Sequence, residues 1–171
     1  MERRNAWLSY TEAEEKELEQ VAKAYRNFLN VGKTERECVT QIIREARAAG
    51  YESLEEKTAK GEKLKAGDKV YTVGMKKIIA LFHIGQDDIS EGMNILGAHI
   101  DSPRLDVKQN PLYEDTDLAY LDTHYYGGVK KYQWVTLPLP CMALLQRRTE
   151  ALWRSALVRM RRIRYFTSQI F

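Results

Sequence analysis

The sequence has few of the residues from which metal sites and disulfide frameworks are built. Its 171 residues include only three histidines, His83, His99 and His124, and two cysteines, Cys38 and Cys141. The two cysteines lie too far apart in the sequence to form a short chelating motif. A pair of cysteines outside any disulfide framework suits a reducing compartment.

Long apolar runs are also missing. No stretch reaches the roughly 18 consecutive apolar residues that a membrane-spanning helix needs, and the amino terminus has no apolar signal-peptide core. The acidic cluster between Pro111 and Asp122 lacks the ligand periodicity of an EF-hand, so we interpret it as a solvated connection. We therefore expect a cytoplasmic protein.

One short motif has the composition of a metal site. The apolar run Met93–Ile100 predicts a buried strand, and Ser102-Pro103 predicts its end. Side chains two apart on a strand point to the same face, so His99 and Asp101 should lie side by side. An imidazole can ligate zinc while a carboxylate holds its other ring nitrogen. The spacing alone is a weak signal, and by itself it favours a purely structural pair over a metal ligand.

Two long ordered segments accompany this pair, Gly97–Tyr113 and the run Asp122-Thr-His-Tyr-Tyr-Gly-Gly-Val-Lys-Lys-Tyr-Gln-Trp. Both resemble the M18 family of metalloaminopeptidases, in its bacterial branch. With the helical amino terminus, the resemblance covers residues 1–139. It implies an α/β fold in which amino-terminal helices precede the β-rich part of a zinc-peptidase catalytic domain, here incomplete.

The resemblance also implies a chemistry. In the complete family enzyme two Zn²⁺ ions share a site, His99 occupies the position of a metal ligand, and Asp101 is the supporting, candidate catalytic residue. The activity implied is removal of amino-terminal residues from peptides. The family takes its remaining ligands from a carboxyl-terminal half that has no counterpart here, and a zinc site needs three or four. We therefore expect no peptidase activity from this chain alone.

The resemblance further suggests which partners to expect. They are a peptide substrate and further copies in a homo-oligomer, with no specific nucleic acid and no membrane. The segment around His124 should lie near the active site, although no specific role for His124 follows. His83, inside an apolar run, is interpreted as a structural strand residue.

Charge changes sign near residue 140. Up to Pro140, 13 lysines and 7 arginines face 23 acidic residues, a net charge of −3, whereas from Cys141 onward 7 arginines face Glu150 alone, a net charge of +6. Such a switch is typical of a boundary. One interpretation is a basic amphipathic helix, which would make the chain a non-enzymatic binder of nucleic acid or an anionic membrane.

A frameshift is the other interpretation of the tail, residues 140–171. The family typically continues Leu137-Pro138-Leu139 with Ala-Leu-His-Gly, whereas this chain continues with Pro-Cys-Met-Ala. If Leu139 ends in G, the codons CCC, TGC, ATG and GCN become GCC, CTG, CAT and GGC after the loss of one base is reversed. We therefore expect an amino-terminal catalytic part at 1–139 and an out-of-frame tail closed by an early stop.

Local signals predict the amino-terminal elements. Thr11-x-x-Glu14 and Thr34-x-x-Glu37 are capping boxes, which predict two helices ending near Gly32 and Gly50. A short strand and a loop should follow over Tyr51–Lys65. Residues 69–73 and 77–84 then predict a hairpin around Gly74.

Overall fold

The computed structural model of the chain describes residues 5–137, 139, 141–149 and 152–160. It contains two compact units, Met1–Ser102 and Pro103–Phe171. Within the described part of the chain, no helix is both long and apolar enough to cross a bilayer.

The first unit begins with two helices, α1 (Glu12–Val31) and α2 (Glu35–Ala48). Both start at the predicted capping boxes. At α2 the Glu37 amide donates to the Thr34 hydroxyl at 3.3 Å, and the Glu37 carboxylate accepts from the Thr34 amide at 3.1 Å. Each box gives two otherwise unpaired amides a partner, which is why the sequence located both helix starts correctly.

A small sheet follows, with the order β1-β2-β3. Its elements are β1 (Glu52–Ser53), α3 (Leu54–Ala59), β2 (Lys69–Gly74) and β3 (Ile78–His83). β1 pairs with β2 in parallel, and β2 pairs with β3 as the predicted antiparallel hairpin. The sequence analysis missed α3, whose start is capped by the Ser53 hydroxyl.

Helix α2 packs on this sheet and forms the core. Cys38, Val39 and Ala46 from α2 and Val70 and Tyr71 from β2 are the buried apolar residues of the described chain. Polar contacts add to the packing, since the Arg47 guanidinium donates to the Tyr71 hydroxyl at 2.8 Å. Another arginine of α2, Arg36, donates to the Met75 carbonyl in the β2–β3 turn at 3.0 Å.

Helix α1 contributes less to this core. None of its residues is buried, and Val21 and Tyr25, which are four residues apart and so share one face of the helix, are 65 % and 62 % exposed. The described residues therefore cover this apolar face only in part.

The predicted strand Met93–Ile100 is wrong. The chain passes through a single 3₁₀ turn, Ile89–Glu91, and then runs without regular structure to Pro103. A strand requires a partner for its amides and carbonyls, and none of the described strands pairs with this segment. The apolar composition indicated a strand, but a strand forms only when another strand pairs with it, and composition does not report such a partner.

In the second unit, β4 (Arg104–Asp115) and β5 (Leu118–Tyr126) form a long antiparallel hairpin, and α4 (Lys131–Trp134) adds one helical turn. The segment Pro111–Asp122 is mostly exposed, as expected, but it forms the end of a hairpin and not a connection. Glu114, Asp115 and Asp117 lie at and beside the turn, where Thr116 and Asp117 take positive φ angles of 51° and 61°, and Asp122 lies on β5, 2.9 Å from the Lys108 ammonium.

The tail forms a separate two-stranded sheet of β6 (Cys141–Thr149) and β7 (Leu152–Met160). The alternative of a basic helix is therefore wrong for these residues. The apolar segments of the two strands lie opposite each other, with Leu144 paired to Leu157 and Leu145 to Ala156. Short apolar runs of this kind do not distinguish a helix from a strand by periodicity.

Candidate functional site

His99 and Asp101 lie side by side, as the sequence predicted. His99 Nδ1 is 3.1 Å from Asp101 Oδ1 and 3.1 Å from the Asp101 main-chain oxygen. Both neighbours are acceptors, so Nδ1 is the nitrogen that carries the proton and donates. The Nε2 lone pair is then left for another partner, which is the arrangement found in metal-binding histidines.

The reason for this proximity differs from the predicted one. The two residues belong to an irregular segment and are brought together by the contact itself. The side chains are 87 % and 65 % exposed. In this environment water competes with the contact, which makes a net contribution of about 1 kcal/mol or less.

The described residues supply only part of a metal site. Among them, no three histidine, cysteine, aspartate or glutamate side chains are close enough together to hold a metal ion. Zinc takes three or four protein ligands. An imidazole with its second nitrogen on a carboxylate fits one position of such a site, so the donor set is chemically suited to zinc but incomplete.

His124 lies on β5 in the second unit. Its ring meets Tyr126 edge to face at 4.8 Å between ring centres, and Asp106 lies opposite it in the hairpin. The Arg104 guanidinium stacks over the Tyr126 ring at 4.8 Å. These contacts make His124 a structural part of an aromatic and charged hairpin face, and its expected nearness to the active site stays a prediction.

The structure explains why the residue that follows β5 is glycine. Gly127 takes a φ of 75°, and a Cβ placed there would lie 3.2 Å from the Pro103 backbone. A positive φ and a close backbone approach are the two conditions that favour glycine, and Gly127 shows both. His83 lies at the end of β3, as expected for a strand residue.

One contact of the candidate site was missed by the sequence analysis. The Cys38 thiol of α2 donates to the Ile100 main-chain oxygen, with 3.6 Å between sulfur and oxygen. Ile100 separates His99 from Asp101. No sequence signal could locate this contact, because its partners are 62 residues apart.

Comparison with known families identifies the class. The model of a family described as aminopeptidase I zinc metalloprotease (M18) matches residues 28–162. Helices on a mixed sheet, followed by a histidine–carboxylate pair, fit an α/β zinc metalloprotease. The chain belongs to the M18 family.

Curated relatives agree with this assignment. An M18 family aminopeptidase 1 of Clostridium acetobutylicum is 57% identical over 138 residues, which are 81% of this chain and 30% of the relative. Its counterpart in Thermotoga maritima is 42% identical over 149 residues, 85% of this chain and 30% of the relative. The chain thus spans about a third of the length of the curated relatives that it matches.

Solved structures give the same fold. The crystal structure of aminopeptidase I from Clostridium acetobutylicum matches with a TM-score of 0.70 and 51% identity, covering 92% of this chain and 34% of that one. Aminopeptidase I from Borrelia burgdorferi matches with a TM-score of 0.77 and 33% identity, covering 91% and 37%. The predicted α/β class and the M18 resemblance are confirmed.

Proposed function

We propose that this chain is the amino-terminal part of a zinc-dependent aminopeptidase that removes amino-terminal residues from peptides. His99 is a zinc ligand in this proposal, and Asp101 is the carboxylate that fixes its tautomer. The observation that carries it is the 3.1 Å contact between His99 Nδ1 and Asp101 Oδ1, inside a segment that matches a zinc metalloprotease family. Holding the proton on Nδ1 keeps the Nε2 lone pair available for a metal.

Zinc would polarise the substrate carbonyl and lower the pKa of a bound water toward about 7. The described residues supply one imidazole to this apparatus, and we propose that the remaining ligands and the second zinc belong to the part of the family protein that this chain does not span. The contribution of this chain is therefore the preorganised His99 side chain.

The exposed apolar residues near His99 also support a site that is completed by segments beyond this chain. Ile95 and Leu96 are 81 % and 99 % exposed, although their composition suits a buried strand. On the proposed function, segments beyond this chain cover these exposed side chains. The peptide substrate, a homo-oligomer and a cytoplasmic location are part of the same proposal.

We also propose that the tail from residue 140 is translated out of frame. The charge switch and the Ala-Leu-His-Gly continuation in the alternative frame support it. The family match, which runs to residue 162, supports the opposite view of a diverged tail. The coding DNA separates the two, since restoring one base near codon 139 should open a long reading frame resembling the family. If no such frame appears, the tail is in frame.

The zinc-ligand role is tested in the longer product of the restored frame. We expect His99→Ala to abolish hydrolysis of an aminoacyl substrate and to lower the zinc content, and Asp101→Ala to weaken zinc binding by about 10-fold to 100-fold. His83→Ala is the matched control, because it removes a histidine that lies on β3. Equal losses in His83→Ala and His99→Ala would contradict the assignment.

The alternative function, a non-enzymatic binder using the arginine tail, is not favoured by any described contact. Its arginine side chains lie outside the residues whose side chains the structure describes. It predicts binding to an anionic polymer that weakens steeply with salt and disappears when residues 141–171 are deleted.

A further inference from the structure

The segment that carries His99 is held to the core at one place. Between residues 85 and 103, all of which the structure describes, every residue is exposed except Ile100, which is half-buried. His99 and Asp101 flank this single anchored residue. The position of both side chains therefore depends on what fixes Ile100.

The Cys38 thiol is placed to do this. It donates to the Ile100 carbonyl at 3.6 Å and belongs to a residue that is only 4 % exposed, in the buried face of α2. Helix α2 is itself fixed by Arg36 on the β2–β3 turn and by Arg47 on Tyr71. The donor is thus part of the rigid core, whereas the acceptor belongs to the irregular segment.

Space for the thiol is provided by Gly32. A Cβ added at Gly32 would lie 2.7 Å from Cys38 Sγ, although the Gly32 φ of −89° is open to any residue. Glycine is therefore favoured at this position by close neighbours and not by its φ angle: the sulfur is the nearest, and the Phe28 carbonyl oxygen follows at 3.3 Å. The turn between α1 and α2 therefore packs directly against the Cys38 thiol at Gly32.

The thiol also keeps its proton. Burial raises the pKa of Cys38, and the nearby carboxylates of Glu37 and Glu35 raise it further. A protonated thiol is a hydrogen-bond donor, whereas a thiolate facing a carbonyl oxygen would be repelled.

We propose that Cys38 is a positioning residue of the candidate zinc site, whose bond to the Ile100 carbonyl fixes the backbone between His99 and Asp101. Without this tether the two side chains keep their chemistry but lose a defined position relative to the core. The assignment of this site to zinc rests on the proposed function. The bond between Cys38 and Ile100 does not depend on it.

Backbone dynamics test the tether in the metal-free 171-residue chain. Heteronuclear ¹⁵N NOE values are measured for the amides of residues 93–101 in the unmodified chain, Cys38→Ala, Cys38→Ser and the control Val39→Ala. Val39 is equally buried on the same helix. The thermal midpoint of each variant is measured in parallel.

We expect the values at 99–101 to fall in Cys38→Ala to those of the untethered residues 93–96. Cys38→Ser has a hydroxyl that can still donate. It should therefore retain at least half of the difference in NOE value between residues 99–101 and residues 93–96. Val39→Ala should lower the midpoint but leave 99–101 unchanged. No fall in Cys38→Ala, or an equal fall in Val39→Ala, would overturn the proposal.

A reciprocal experiment covers the case in which Cys38→Ala does not fold. In a Cys141→Ser background, Ile100→Pro, which changes the backbone that carries the acceptor carbonyl, should accelerate alkylation of Cys38 by iodoacetamide by about tenfold or more, because local opening exposes the thiol. His99→Ala, which changes an exposed neighbour, should leave the rate within about twofold. Equal rates in both variants would refute the tether.

The tether and the proposed zinc function fail separately. The dynamics and alkylation readouts need no metal, so they test the tether alone. The zinc content of His99→Ala in the restored-frame product tests the ligand role alone. A rigid segment with unchanged zinc content would remove the zinc function and leave the tether standing.

Discussion

Two regions of the described chain differ in what holds them together. Every buried side chain lies between residues 32 and 71, where α2 packs on the β1–β3 sheet. Between residues 84 and 137 no described side chain is buried, although this region contains β4 and β5, strands of 12 and 9 residues. Backbone pairing without burial makes a two-stranded sheet marginal in water.

On the proposed tether, the candidate site depends on a core to which it does not belong. His99 and Asp101 lie in the region without buried side chains. Ile100, between them, accepts a hydrogen bond from Cys38 in the buried core. The site should therefore tolerate changes in the hairpin and respond to changes in α2.

The largest contrast should come from truncating one side chain in each region. Val70→Ala, at a fully buried position, should lower the free energy of unfolding by about 2 to 3 kcal/mol through lost apolar burial and a cavity. Leu121→Ala, at a position that is 47 % exposed on β5, should cost less than about 0.5 kcal/mol. Urea denaturation followed by circular dichroism measures both, and equal costs would remove the distinction between the regions.

A second contrast concerns the space around the thiol. Gly32→Ala should lower the free energy of unfolding by about 1 to 3 kcal/mol, because its Cβ would overlap Cys38 Sγ. Part of this loss should disappear in a Cys38→Ala background, where the sulfur is gone. Additive effects of the two substitutions in urea titrations would mean that the sulfur is not what requires glycine.

Removing each capping box compares a helix that is part of the core, α2, with a helix that has no buried residue, α1. Thr34→Ala should lower the free energy of unfolding by about 1 kcal/mol, since it unpairs amides at the start of α2. Thr11→Ala removes the same box from α1 and should cause local fraying, seen by hydrogen exchange, with a smaller change in global stability. Equal global losses would show that α1 folds as one unit with the core.

The smallest effect is a dependence on pH. Burial raises the pKa of Cys38 in the folded chain, so the folded state holds this proton more tightly than the unfolded state. Its contribution to stability is present below the ordinary thiol pKa and is lost as the pH rises through the raised value. Cys38→Ser should lack this alkaline decline, and an identical decline in both chains would contradict the assignment.

Local signals predicted those parts of the fold that are determined locally. The capping boxes at Thr11 and Thr34 and the β2–β3 hairpin depend on residues a few positions apart, and all three are confirmed. The strand expected over Met93–Ile100 depends on a pairing partner, which no local pattern provides. The helical alternative for the tail is wrong for a related reason, because periodicity does not report cross-strand pairing.

The candidate site was predicted in part. The proximity of His99 and Asp101 is confirmed, although it arises from their own contact in an irregular segment and not from a strand face. The Cys38 tether was not predicted, because the chain between Cys38 and Ile100 must fold before the two meet. Its role and the zinc-ligand role stay predictions.

The central claim is that this chain carries one ligand of an M18 zinc site and not the whole site. Zinc content and hydrolysis of an aminoacyl substrate, measured on the same purified 171-residue chain, test it most directly. We predict no stoichiometric zinc after dialysis and no hydrolysis above the rate of a His99→Ala variant. Hydrolysis by the unmodified chain that is lost in His99→Ala would contradict the account.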